Sequence, residues 1–212
     1  MAVIAYQYRG DLVDQIHRGH IAVTDHTGKI LWKLGDPECL TFARSSAKPL
    51  QAIPVAESGA LEHYGITPQE LAVICSSHNG EPFHVKAVES ILHKAGLSPD
   101  QLCCGAEYPM YVPAEDALKI AGIPRAPIYC DCSGKHAGML ITARHFGESL
   151  ENYTALEHPV QQRILSVFAE MCGVETSEVH LAVDGCGVPV HALPLYRLAQ
   201  GYARMSLPTL FA

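Results

Sequence analysis

Residues 67–81 read TPQELAVICSSHNGE, and the assignment of this stretch decides how far into the chain the sheet extends. Thr67, followed by Pro68 and Glu70, is a helix-start signal. It offers a hydroxyl to accept an orphan N–H, a proline where a missing N–H is tolerated, and a carboxylate that reaches back. LAVIC, residues 71–75, is a short apolar run that suits either a buried strand or the end of that helix. SSHNG, residues 76–80, reads as a loop. Polar groups gathered just beyond a buried element are what a substrate loop requires, and an ordinary turn has the same composition.

Toward the N-terminus, VIAYQYRG, HIAVTD and GKILWKLG read as strands, with DHTGK supplying a glycine hairpin turn between the last two. From Ser46 to about Leu61 the spacing predicts a helix, with Pro49 in its first turn and Pro54 placed to kink it. Beyond the opening stretch, PFHVKAVESILHKAGL is an amphipathic helix, with Val85, Val88, Ile91, Leu92 and Ala95 on one face and Gly96 at its end. The proline-rich region 98–129 reads as loop. GKHAGMLITARHFG and HPVQQRILSVFAEMCG read as helices. EVHLAVDGCGVPVHALPL reads as a strand entering a tight turn, and residues 194–204 as helix. Strands first, helices in the middle and a later strand predict an α+β domain, a three-layer arrangement around a mixed sheet.

The bulk properties narrow the function classes. A chain of 212 residues suits one large domain or two small ones, and we read it as a single domain. Apolar residues at 48% and charged residues at 17% fit a compact core. A net charge of −7 speaks against nucleic acid as the main partner. No apolar run reaches the length of a membrane span, and the N-terminus lacks the basic start of a signal peptide. The expected location is therefore cytoplasmic, where thiols stay reduced and the eight cysteines are not a disulfide framework. Cys39 and Cys172 fit plain core positions.

Four segments concentrate reactive groups. In ARSSAKPLQ, residues 43–51, Ser45 and Lys48 are three apart and would share a helix face. A lysine held away from water can take a proton from a serine hydroxyl; equally, Ser45 could cap a helix with Lys48 solvated. CSSHNGE, residues 75–81, adds further hydroxyls. In YCDCSGKHAGM, residues 129–139, Cys130 and Cys132 would project to opposite sides of an extended chain, so that one of them faces a given site. Cys132 lies three residues before Lys135 and four before His136. Thiolate and imidazole are good zinc ligands, and a lysine amine must be neutral to bind. Neither a Cys-x-x-Cys pattern nor the Pro-Cys-x-x-Cys of a zinc deaminase is present. In DGCGVPVH, residues 184–191, glycines on both sides of Cys186 allow close backbone approach, and Asp184 could orient a ligand. A buried cysteine in a turn is the alternative.

ARSSAKPLQ, CSSHNGE, CDCSGKHAGML and DGCGVPVHALPL, in this order over nearly the whole chain, resemble the asparaginase II family of the Rhizobium etli inducible type. The resemblance implies hydrolysis of L-asparagine to L-aspartate and ammonia, a fold similar to the serine β-lactamases and glutaminases, a homodimer and a zinc ion. It implies Ser45 and Lys48 as a first Ser–Lys pair and Ser77 as the serine of a second. It further implies Cys132, Lys135 and Cys186 as zinc ligands, with Arg44, His136 and Asp184 as neighbours of the site. In that family the lysine for the second serine comes from a later segment, whereas the last lysine here is Lys135. The chain is therefore expected to be truncated on the C-terminal side, with SLPTLFA as a frameshifted or foreign end. The alternative function is a catalytically impaired, metal-binding fragment of such an enzyme. A penicillin-binding type of acyl transfer would need Ser-Asp-Asn and Lys-Thr-Gly, which do not occur.

Overall fold

The computed structural model describes residues 1–211. In chain order it runs through the strands β1 (Ala2–Arg9), β2 (Leu12–Gly19), β3 (Ile21–Thr24), β4 (Ile30–Leu34) and β5 (Leu40–Phe42). A one-turn 3-10 segment, Arg44–Ala47, leads into α1 (Lys48–Glu57), α2 (Ala60–Tyr64), α3 (Pro68–Ile74), α4 (Pro82–Lys94) and α5 (Val112–Ile120). Then come α6 (Ser133–His145), α7 (Pro159–Cys172), β6 (His180–Val183), β7 (Pro189–Pro194), α8 (Leu195–Met205) and α9 (Pro208–Phe211). The chain is α+β, as the order of its elements implies. Its strands form three small sheets, β1–β2, β3–β4 and β5–β7–β6. The first two are antiparallel because short turns join their strands.

The chain divides into two compact units. One comprises residues 1–43 and 168–180 and the chain from His191 onward. Here β1 and β2 form a hairpin that turns at Gly10, with φ +61. β2 lies in a stretch the sequence pattern passes over: its Asp14, Gln15, His17 and Arg18 dilute any apolar alternation. β3 and β4 close through DHTGK, where the Asp25 carboxylate accepts from the Thr27 and Lys29 N–H groups and Gly28 takes φ +88. α8 packs on β3, and β5 pairs with the end of β7 from Leu40–Pro194 to Phe42–Ala192.

The second unit comprises residues 44–167 and 181–190 and is organised around α6. Every residue of α6 from Ser133 to Ala143 is buried, which marks it as the central helix of a helical core. α1, α2, α3 and α4 surround it. Two glycines permit the closest contact. A Cβ on Gly134 would sit 2.4 Å from the Val73 carbonyl oxygen, and one on Gly138 would sit 2.7 Å from Ile74 Cγ2. Spaced four apart on α6, they let α3 approach nearly backbone to backbone.

LAVIC is helix. Thr67 Oγ1 accepts from the Glu70 N–H at 3.3 Å, and Glu70 Oε2 accepts from the Thr67 N–H at 2.6 Å, so the capping box closes and α3 carries the apolar run to Ile74. The same Glu70 oxygen meets Lys94 Nζ at 2.7 Å. Burial alone would raise the Glu70 carboxyl, but Lys94, Ser90 and Thr67 hold it down at about 2. The helix expected from Ser46 to Leu61 is two, because Gly59 takes φ +80 between α1 and α2. α1 continues through Pro54, which lies inside it. α5 arises within the region read as loop; Pro113 falls in its first turn, where a proline is tolerated. Cys172 is fully buried, and Cys39 is half-buried.

Candidate active site

The close approach of α3 to α6 brings the loop leaving α3 against the turn entering α6. Ser77 lies in that loop, and Asp131 and Cys132 lie in that turn. The loop is fixed by backbone bonds: the His78 N–H donates to the Asp131 carbonyl at 3.2 Å, and the Tyr111 N–H to the Asn79 carbonyl at 2.8 Å. Gly80, at φ +71, has Pro109 Cβ 2.8 Å from where its own Cβ would be, so no side chain fits there. His78 is 3% exposed and braces the same loop. Its Nδ1 accepts from the Gly80 N–H at 3.1 Å, which puts the imidazole proton on Nε2. Nε2 then donates to Ser133 Oγ at 2.9 Å, and Ser133 donates to the Ile128 carbonyl at 3.1 Å. Burial, and then the neighbouring His84, push this imidazole down to about 4, so it is neutral at neutral pH.

Lys48 opens α1 and is 1% exposed. Its Nζ donates to Ser77 Oγ at 2.5 Å and to the Asp131 carbonyl at 3.5 Å, and lies 3.6 Å from Asp131 Oδ2. Burial pushes the Asp131 carboxyl up, but Lys48 and the Ser77 hydroxyl outweigh it and hold it below its usual range. Ser77 itself is exposed. The group is therefore a solvent-reachable hydroxyl held by a buried amine and a carboxylate.

The Ser45–Lys48 spacing does not produce a pair. Ser45 sits in the 3-10 turn before α1 and is exposed, whereas Lys48 points inward. No hydrogen bond joins them among the described residues. The lysine that meets Ser77 lies 29 residues upstream of it. Arg44, next to Ser45, holds φ +50, a left-handed conformation that costs an arginine about 1–3 kcal/mol. Its guanidinium meets Asp184 Oδ1 at 3.1 Å. Arg44, Ser45, Glu107, Asp131 and Asp184 line a cavity of about 170 Å³, together with Cys104, Cys130, Cys132, Gly185 and Cys186. Both charges of a small zwitterion find opposite charges on its walls.

Cys132 and Cys186 line the sulfur side of the cavity, and Lys135 lies beside Cys186. Cys132, Lys135 and Cys186 are 6, 4 and 7% exposed, and Lys135 Nζ donates to Cys186 Sγ at 3.2 Å. Contact with the Cys132 thiol, and then burial, push Cys186 up to about 11. The Cys130 thiol raises Cys132 in turn, and Cys104 raises Cys130 to about 12. His136 is fully buried. The Tyr153 hydroxyl accepts from the Cys103 N–H at 2.8 Å, and its own proton is free for His136 Nδ1 at 2.7 Å. That leaves Nε2 as the protonated nitrogen, beside the Cys186 thiol. Burial lowers the imidazole, so it stays neutral. Two soft sulfurs, an amine nitrogen and an approach from the cavity are a donor set that fits zinc with a fourth position open.

The turn before α6 departs from the extended geometry expected of it. Cys130, Asp131 and Cys132 come directly after a 3-10 turn and enter α6 with Cys132 at φ −95, ψ −2. Both cysteines therefore face the same cavity instead of opposite sides. Asp131 and His78 are site residues that the motifs do not single out. An acidic residue between two cysteines at a helix entrance is the available signal for the first; nothing local marks the second.

No curated protein significantly matches the chain. A family model described as L-asparaginase II matches residues 5–210. With a match of that extent, the chain belongs to the L-asparaginase II family, whose members are asparaginase-type amidohydrolases.

Proposed function

We propose that this chain hydrolyses the side-chain amide of L-asparagine to L-aspartate and ammonia, with Ser77 as nucleophile and Lys48 as its base. The observation that carries this reading is the 2.5 Å contact between an almost fully buried Lys48 amine and an exposed Ser77 hydroxyl. Lys48 takes the hydroxyl proton as Oγ bonds to the amide carbon. The negative charge then develops on the former carbonyl oxygen, where preorganised donors stabilise it most. Collapse of the tetrahedral species breaks the C–N bond, and Lys48 returns the proton to the departing ammonia. A water, deprotonated by the same amine, hydrolyses the ester and frees Ser77. Asp131 orients Lys48 and accepts from the Ser77 hydroxyl in the resting state.

Arg44 receives the substrate α-carboxylate, and Asp184 and Glu107 its α-ammonium; in support, all three line the cavity. Ser45 lines it too and serves as a hydrogen-bond donor to substrate instead of the attacking group. Cys132, Lys135 and Cys186 would hold zinc, which would supply a Lewis acid that orients substrate polar groups. The homodimer is part of the same proposal. Ile4, Tyr6, Tyr8, Val13 and Ile16 of the β1–β2 hairpin are each at least 45% exposed, a type of surface that oligomers bury. The cytoplasmic location is carried likewise; no helix among the described residues is long and apolar enough to cross a membrane.

The test is ammonia release from L-asparagine by the purified chain. Activity should fall about a thousandfold in Ser77→Ala. In Ser45→Ala the change should fall mainly on KM. An inactive chain that still binds zinc would favour the metal-binding fragment instead.

A further inference from the structure

We infer that the turn Cys130–Asp131–Cys132 is a second position for a thiophilic divalent cation, distinct from the set Cys132, Lys135 and Cys186 and joined to it through Cys132. Three observations carry it. First, one ligand atom from each of the three residues lies within 4.8 Å of the other two. A tetrahedral zinc ion with bonds of about 2.3 Å to sulfur needs its ligands about 3.7 Å apart, so closing on an ion takes about 1 Å of movement. Second, the carboxylate is divided between two partners. Asp131 Oδ1 lies 3.8 Å from Cys130 Sγ, and Oδ2 faces Lys48 at 3.6 Å. Oδ1 is thus directed to the sulfurs while Oδ2 keeps its contact with Lys48. Third, Cys130 and Cys132 are 2% and 6% exposed and line the cavity with Asp131. Two sulfurs, one oxygen and a fourth position open to the cavity suit a zinc- or cadmium-like ion.

In the metal-free state the thiols beside this position are turned to main-chain carbonyls, and the Cys130 contact ends when its sulfur binds as thiolate. The Cys130 thiol donates to the Cys104 carbonyl at 3.5 Å, and the Cys104 thiol to the Pro127 carbonyl at 3.3 Å. On binding, two S–M bonds and one O–M bond form, and the two thiol protons pass to water. With both positions filled, the Cys132 thiolate bridges two cations. The inference does not depend on the amidase reading, because its readout is metal content.

The experiment uses the full chain, stripped of metal and titrated with Zn²⁺ under reducing conditions against a chromophoric chelator. Cys186→Ser dismantles the neighbouring set and should still bind one equivalent. Adding Cys130→Ser or Asp131→Asn to that variant should weaken the remaining binding at least tenfold. Asp131 has a half-buried side chain, so Asp131→Asn carries the test if Cys130→Ser does not fold, with thermal melting as the check on folding. Loss of all zinc from folded Cys186→Ser would overturn the inference. So would zinc affinity that neither Cys130→Ser nor Asp131→Asn alters.

Discussion

Two lysines of the second unit are nearly inaccessible, Lys48 at 1% and Lys135 at 4%, and their surroundings differ in kind. Lys48 faces oxygen: a serine hydroxyl, a carbonyl and a carboxylate. Lys135 faces sulfur, with Cys186 at 3.2 Å and a neutral, buried histidine next to it in sequence. Both amines are buried, so burial does not set their use; the partner atoms do. Beside a hydroxyl, a buried amine can move a proton. Beside a thiol, it can join a donor set for a metal ion.

The strongest way to break this contrast is to remove each amine while keeping its volume. Lys48→Met should lower kcat/KM on L-asparagine about a thousandfold and leave zinc content unchanged, measured by ammonia release and metal analysis. Lys135→Met should do the reverse: zinc affinity falls by at least about a hundredfold, and turnover falls by less than about tenfold. If both variants lose both properties equally, the two amines serve one function and the contrast is wrong.

A pH series sharpens it next. His78 braces the Ser77 loop and has its imidazole depressed to about 4 from an ordinary 6.5. The unfolded chain therefore binds the proton more readily. The stabilisation is fully present above pH 6.5 and is lost as pH falls toward 4, with a total of roughly 3 kcal/mol. Denaturant melts of wild type and His78→Gln should converge over that window. Glu70 acts lower, between 4.5 and 2, in the same direction.

Which features are legible in the sequence depends on the range of the contacts that make them. The start of α3 and the face of α4 depend on neighbours within one turn, and Thr67, Glu70, Val88, Ile91 and Leu92 take their expected places. The β3–β4 hairpin is legible for the same reason. β2 is not, because its pairing with β1 supplies what its mixed side chains do not signal. α5 is hidden because proline at a helix start looks the same as proline in a loop. Within the site, the motifs mark both Lys48 and Ser77 but join Lys48 to Ser45. Spacing registers three residues and is blind to a contact across 29. The opposed cysteines fail for a matching reason, since an i, i+2 rule assumes an extended chain and the turn before α6 is not extended.

The smallest effect comes from Gly134, which touches both halves of the contrast. It lies next to Lys135 on α6, and a Cβ there would strike the carbonyl of Val73 on the helix that leads to Ser77. Gly134→Ala should cost about 1–3 kcal/mol of stability, seen as a lower melting temperature. It should also weaken zinc binding and turnover together, unlike either lysine variant.

The central claim is that Ser77, served by Lys48, is the attacking group. The most direct measurement is to quench the enzyme during turnover of L-asparagine and map the acyl ester by peptide mass spectrometry. The account predicts an aspartyl ester on the peptide that carries Ser77 and its absence in Ser77→Ala. An ester on Ser45, unaffected by Ser77→Ala, would contradict it.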